Sequence, residues 1–169
     1  MNVLEVARYM LFLAYRSGDT VTNLKLQKLL YYVQAWYLVR NNGNRLFDDE
    51  LEAWPYGPVV KSVYDAYKRF GRDPINESSI NDDSTSDTFN LTESAKKVIE
   101  YVVDEYMSYS AYHLVKSIHR EAPWQDARNT GAMISTEAMY DLYKTMFTSN
   151  SELSDLADTP IEECSDTLI

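Results

Sequence analysis

A chain of 169 residues, 45% of them hydrophobic and with only five glycines and five prolines, is long enough for one compact domain with a full core and too short for two ordinary ones. Its formal charge of −10 argues against nucleic-acid binding, which draws most of its affinity from clustered lysine and arginine. The single cysteine, Cys164, excludes an internal disulfide framework and a multi-cysteine zinc site.

Residues 2–17 read as a first helix closed by Gly18. Its apolar run from Val3 to Tyr15 is interrupted by Glu5 and Arg8 and lacks a basic leader, so it resembles neither a signal peptide nor a membrane span. The expected location is the cytoplasm, with no membrane partner. Thr22 or Asn23 caps a second helix that runs to about Asn42 and stops at Gly43. At 100° per residue, Leu26, Leu29, Leu30, Val33, Trp36 and Tyr37 fall on one side of it, and Leu24, Tyr31, Ala35 and Leu38 on the other. A helix apolar on two faces belongs in the middle of a domain. Two narrow polar lines separate those faces: Lys25, Lys28 and Tyr32, and Gln27, Gln34 and Asn41. They are either hydrogen-bonded structural groups or a recognition surface.

Residues 46–54 are too short and mixed for a helix and read as extended, pairing with an extended segment at 88–91. Gly57 and Pro58 open a third helix that ends at Gly71, with Val59, Val60, Val63, Tyr64, Ala66, Tyr67 and Phe70 inward. Between Arg72 and Asn90 the periodicity disappears into Asn, Asp and Ser, the composition of a surface loop. Further helices are predicted from about Thr92 to Met107, from Ser110 to Glu121 with Pro123 ending it, and from a Ser135 cap to Phe147. The fold class is mainly α: a compact single-domain bundle of about six helices, with a short β-hairpin near residues 46–54 and 88–91. That domain covers residues 1–148. Residues 149–169 carry six carboxylates and no lysine or arginine, and read as an acidic disordered tail, leaving −4 on the domain.

Catalytic chemistry is hard to find. His113 and His119 lie six residues apart, about 120° around a helix, and do not form the i, i+4 pair of a helical zinc site. His119, bordering an apolar stripe beside Trp124, reads as a hydrogen-bonded packing residue. No phosphate loop or nucleophile elbow is present, and Asp82, Asp83 and Asp87 lack the glycine and final glutamate of a calcium loop. The expectation is a non-enzyme with no metal and no cofactor. What stands out is aromatic content, 14 tyrosines and three tryptophans. Most must fill the core, while Tyr32, Trp54 and Tyr56 are candidates for a contact surface, because tyrosine and tryptophan bury large areas with few rotors. Trp54 and Tyr56 stand on a turn stiffened by Pro55 and Pro58, which limits the entropy lost on binding. Lys25 and Lys28, beside Tyr32 on the same polar line, complete the candidate partner-binding set.

Three ordered motifs carry a resemblance: Lys25–Tyr32 (KLQKLLYY) followed by Trp36, Leu46–Phe47 with Glu52–Val60 (EAWPYGPVV), and His119–Trp124 (HREAPW). Together they resemble the Panacea domain, the SocA-like antitoxin family that also occurs in prophage-associated GepA-like proteins, over about residues 5–145. The resemblance implies that Leu26, Gln27, Leu29, Leu30, Tyr31, Trp36, Gly57, Pro58, Val59, His119, Glu121, Pro123 and Trp124 are the motif residues that support the fold. It also implies a mainly helical fold and an antitoxin that binds and neutralises a cognate protein toxin by protein contact. Alternatives from the same resemblance are an adaptor delivering the toxin to a ClpXP-type protease, and a phage-encoded inhibitor of a host defence enzyme. Some relatives carry an additional DNA-binding segment, for which this chain leaves no room.

Overall fold

The computed structural model describes residues 1–149. The described residues contain seven α-helices, one two-stranded antiparallel sheet and two short 3-10 turns (Lys68–Phe70 and Ser86–Thr88): α1 (Val3–Ser17), α2 (Asn23–Arg40), β1 (Leu51–Trp54), β2 (Gly57–Val60), α3 (Lys61–Tyr67), α4 (Glu93–Tyr106), α5 (Ala111–Ile118), α6 (Ala122–Thr130) and α7 (Thr136–Ser149). The acidic tail predicted at 149–169 lies outside the described residues apart from Ser149.

Local chemistry sets the helix ends. Asn2, Thr22, Thr92 and Ser110 each accept a backbone N–H of the first turn of α1, α2, α4 and α5, and the Ser135 hydroxyl accepts the Ala138 N–H at the start of α7. Gly18, at φ 75°, closes α1 in the left-handed conformation. The second helix is the centre of the molecule, as its two apolar faces require. Thirteen of its 18 residues are buried, and it packs against α1, α3, α4, α5, α7 and β2. Leu24 departs from that pattern: it is 41% exposed at the first turn, where no neighbour covers its face.

Three expectations are corrected. The hairpin is made by β1 and β2, with Leu51 opposite Val60 and Trp54 opposite Gly57, and not by residues 88–91. Phe89 is buried instead against α1, its ring centroid 5.2 Å from that of Tyr9 and 5.1 Å from that of Phe12. Gly57 and Pro58 accordingly lie in a strand, and the third helix begins at Lys61. The last correction adds a helix to the six. Pro123 does not end the helix at Glu121; it sits in the first turn of α6, where its missing N–H would be unpaired in any case.

The hairpin has a partner on each edge. On one side the Val60 N–H donates to the Gln27 side chain of α2 at 2.8 Å. On the other the Ile134 N–H donates to the Leu51 carbonyl at 2.8 Å, and Met133 bridges to Glu52. A lone two-stranded ribbon is marginal in water, so these clamps are what hold it.

Candidate functional site

The three sequence motifs meet at the hairpin. From α2 comes Lys28, whose side chain has no exposed surface and whose Nζ donates to the Pro58 carbonyl at 2.8 Å. Burial pulls its ammonium down from 10.5 to about 7. The turn accommodates this lysine through Gly57, which has φ 97° and would place a Cβ 3.0 Å from Lys28 Cε. Both the backbone conformation and the close approach demand glycine there.

From the α5–α6 junction, the His119 ring stacks on Trp124 with centroids 4.1 Å apart. Trp124 Nε1 donates to the Trp54 carbonyl at 3.2 Å, and Arg128 reaches the Ala53 carbonyl at 3.2 Å. Burial holds the His119 imidazole below its ordinary value; the Pro55 carbonyl pulls the other way, and the Lys28 ammonium adds to the depression. Its Nε2 is buried with no hydrogen-bond partner among the described residues. Glu121, two positions on, accepts the Tyr31 hydroxyl at 2.5 Å and the Tyr143 hydroxyl at 2.9 Å, tying α2 and α7 to the same junction. The KLQKLLYY, EAWPYGPVV and HREAPW segments are therefore one packed unit, distant in sequence and joined in space.

That unit lies within a recognised sequence signature. A family model for antitoxin SocA-like proteins, Panacea domain, matches residues 26–125. The chain belongs to the SocA-like antitoxin family with a Panacea domain. It is similar to Antitoxin SocA of Caulobacter vibrioides (strain NA1000 / CB15N), at 29% identity over 152 residues that cover 82% of this chain and 80% of the relative. No solved structure gives a significant match.

In this Panacea domain the five candidate contact residues separate into three places. Lys28, Trp54 and Tyr56 come together around a cleft of about 400 Å³ between the start of α2, the hairpin turn and the end of α3. Tyr56 is 73% exposed at its mouth, with Leu24 opposite, while Tyr64 packs tilted against Trp54 inside, with ring centroids 4.9 Å apart. Lys68 and Arg72 also line this cleft, and Arg72 makes no ion pair among the described residues. Lys68 is paired with Asp65 at 3.2 Å, which leaves Arg72 as the unpaired surface cation of the lining. Lys25 is not part of it: its Nζ donates to the Met107 carbonyl at the end of α4 at 2.5 Å.

Tyr32 is elsewhere again, and it is not a surface residue. It is 4% exposed, and its ring stacks on Tyr106 at 4.0 Å. The polar line that suggested exposure is covered at Tyr32 by α4 and α7, through Tyr106 and Tyr143, and at Lys28 by the hairpin. The other polar line is structural as well. Gln27 accepts from Val60 and donates to Asn23, and Gln34 accepts the Leu46 N–H and donates to the Phe47 carbonyl. Every one of these groups has the partner that burial demands.

Sequence reasoning missed Leu24, Tyr64, Lys68 and Arg72 as cleft residues. Their common signal is proximity to the turn, visible only once the strand pairing brings α3 beside α2. Among the described residues, no group of His, Cys, Asp and Glu is placed to hold a metal ion, and no helix is long and apolar enough to cross a membrane.

Proposed function

We propose that this chain is an antitoxin that neutralises a cognate protein toxin by direct contact, with the hairpin cleft as its contact surface. The observation that carries the reading is the convergence of the family's motifs beneath one protruding turn. Lys28, Gly57, His119 and Trp124 fix the turn from below, and Tyr56 and Leu24 are left uncovered above it. A rigid turn presenting an exposed aromatic beside an apolar side chain loses little entropy on docking. Anchors of this kind carry a large share of interface energy. The unpaired Arg72 at the cleft wall suits a carbonyl-rich or acidic segment of the partner.

The test is rescue of a cell expressing a toxic reading frame encoded beside this gene. Wild type is expected to restore growth, whereas Tyr56→Ala combined with Leu24→Ala abolishes rescue with a thermal midpoint unchanged within a few degrees. Rescue that persists in a host lacking ClpXP supports neutralisation by contact; rescue that disappears there identifies proteolytic delivery instead.

A further inference from the structure

A second cavity lies on the far side of the α5–α6 junction, and its chemistry is opposite to that of the hairpin cleft. Its volume is about 240 Å³, and its walls include Tyr32, Tyr106, Tyr109, His113 and Tyr143, with Glu121 also facing it. Two pairs of stacked rings form the sides: Tyr32 on Tyr106 at 4.0 Å, and Tyr109 on His113 at 4.6 Å. No lysine or arginine is among the lining residues. The Glu121 carboxylate holds two tyrosine hydroxyls but makes no ion pair, so its charge is solvated by dipoles alone. Burial raises its pKa above the ordinary carboxylate value, and the two hydroxyls only partly offset this. The mouth is open and apolar, with Tyr109 45% and Met146 41% exposed.

The geometry points to a receptor for a cationic side chain: an arginine of a protein partner enters this tyrosine-walled cavity and meets Glu121. Aromatic faces attract cations through the ring quadrupole, most strongly where water is displaced. A planar guanidinium stacks on such rings and presents paired donors to a carboxylate, which a compact ammonium does less well. Size favours a side chain over a free metabolite, since cavities for small-molecule ligands generally run to ~300–1,000 Å³. Assigning the arginine to a toxin rests on the antitoxin reading above; the cavity's affinity for the guanidinium does not.

Titration of the full chain with N-acetyl-arginine amide, followed by amide resonances, decides the matter. Saturable shifts confined to residues such as Leu114, Ser117 and Met146 are expected, with the neutral isostere N-acetyl-citrulline amide binding about tenfold more weakly. Glu121→Gln is expected to weaken the arginine probe by about tenfold as well. Because Glu121 also braces Tyr31 and Tyr143, Tyr109→Ala at the exposed rim serves as the second variant, with a several-fold loss expected. Absence of saturable shifts, equal binding of the citrulline probe, or arginine binding untouched in Tyr109→Ala would each overturn the proposal. Tighter binding of tetramethylammonium than of the arginine probe would overturn it in favour of a small-cation pocket. Failure of wild type to neutralise any neighbouring gene product would sink the antitoxin reading and leave this titration unaffected.

Discussion

Lys28 occupies a position that methionine would fill at lower electrostatic cost. Its pKa falls from 10.5 to about 7 because burial disfavours the charge. Between those values the unfolded chain binds a proton that the folded chain does not, so stability rises with pH across that window. Wild type is expected to gain roughly 3 kcal/mol between pH 7 and 9.5, and Lys28→Met to lack that gain, as read from urea midpoints at matched ionic strength. Identical slopes in the two proteins would show that the lysine is hydrated. Above about pH 10 the sign reverses, because burial raises the buried tyrosines, Tyr32 and Tyr106 among them, and ionisation then favours the unfolded chain. The tyrosines at 32 and 56 make a sharp contrast. Tyr32→Ala is expected to cost about 3–5 kcal/mol by opening a void in the ring stack, while Tyr56→Ala stays within about 0.5 kcal/mol of wild type. Equal losses in denaturant melts would mean that the turn is braced by Tyr56. The sequence marked both residues as unusual, but a polar line on a helix does not say whether another helix lies over it.

The second helix was readable because its apolar positions repeat at helical spacing on two faces, a pattern that only a central helix tolerates. Leu30, fully buried within it, gives the corresponding measurement: Leu30→Ala is expected to lose about 2–5 kcal/mol, and a loss below about 1 kcal/mol would contradict its place in the core. The caps at Thr22 and Ser135 were legible for a local reason, since a short oxygen-bearing side chain satisfies first-turn donors wherever a helix starts. Proline was the misleading letter. Pro58 suggested a helix start and belongs to a strand, and Pro123 suggested a helix end and opens a helix, because the residue satisfies both settings through its fixed φ alone. The hairpin depends on Gly57, whose φ of 97° no side chain tolerates easily. Its pairing could not be read from strands of four residues, because their edges are satisfied by Gln27 and Ile134 from far along the chain.

Charge and assembly govern the molecule as a whole. With six carboxylates of the −10 lying beyond the described residues, a net −4 remains on the domain, and five of its cations are ion-paired while Lys25 and Lys28 are tied to backbone carbonyls. Duplex and single-stranded DNA are therefore expected to show no sub-micromolar binding at physiological salt in an anisotropy titration; tight, salt-sensitive binding would refute this. The candidate site was half legible: Trp54, Tyr56 and Lys28 do share a cleft, whereas the tyrosine cavity draws on residues from 32 to 146 that no sequence window contains. That same separation bears on synthesis at the ribosome. The aromatic face of α2, with Tyr31, Tyr32 and Trp36, is covered by Tyr143 of α7. At ordinary translation speeds the interval between Tyr32 and Tyr143 is on the order of ten seconds. Through that interval the nascent chain carries an unshielded stripe of rings, and the hairpin still lacks the Trp124, Arg128 and Ile134 contacts that fix it.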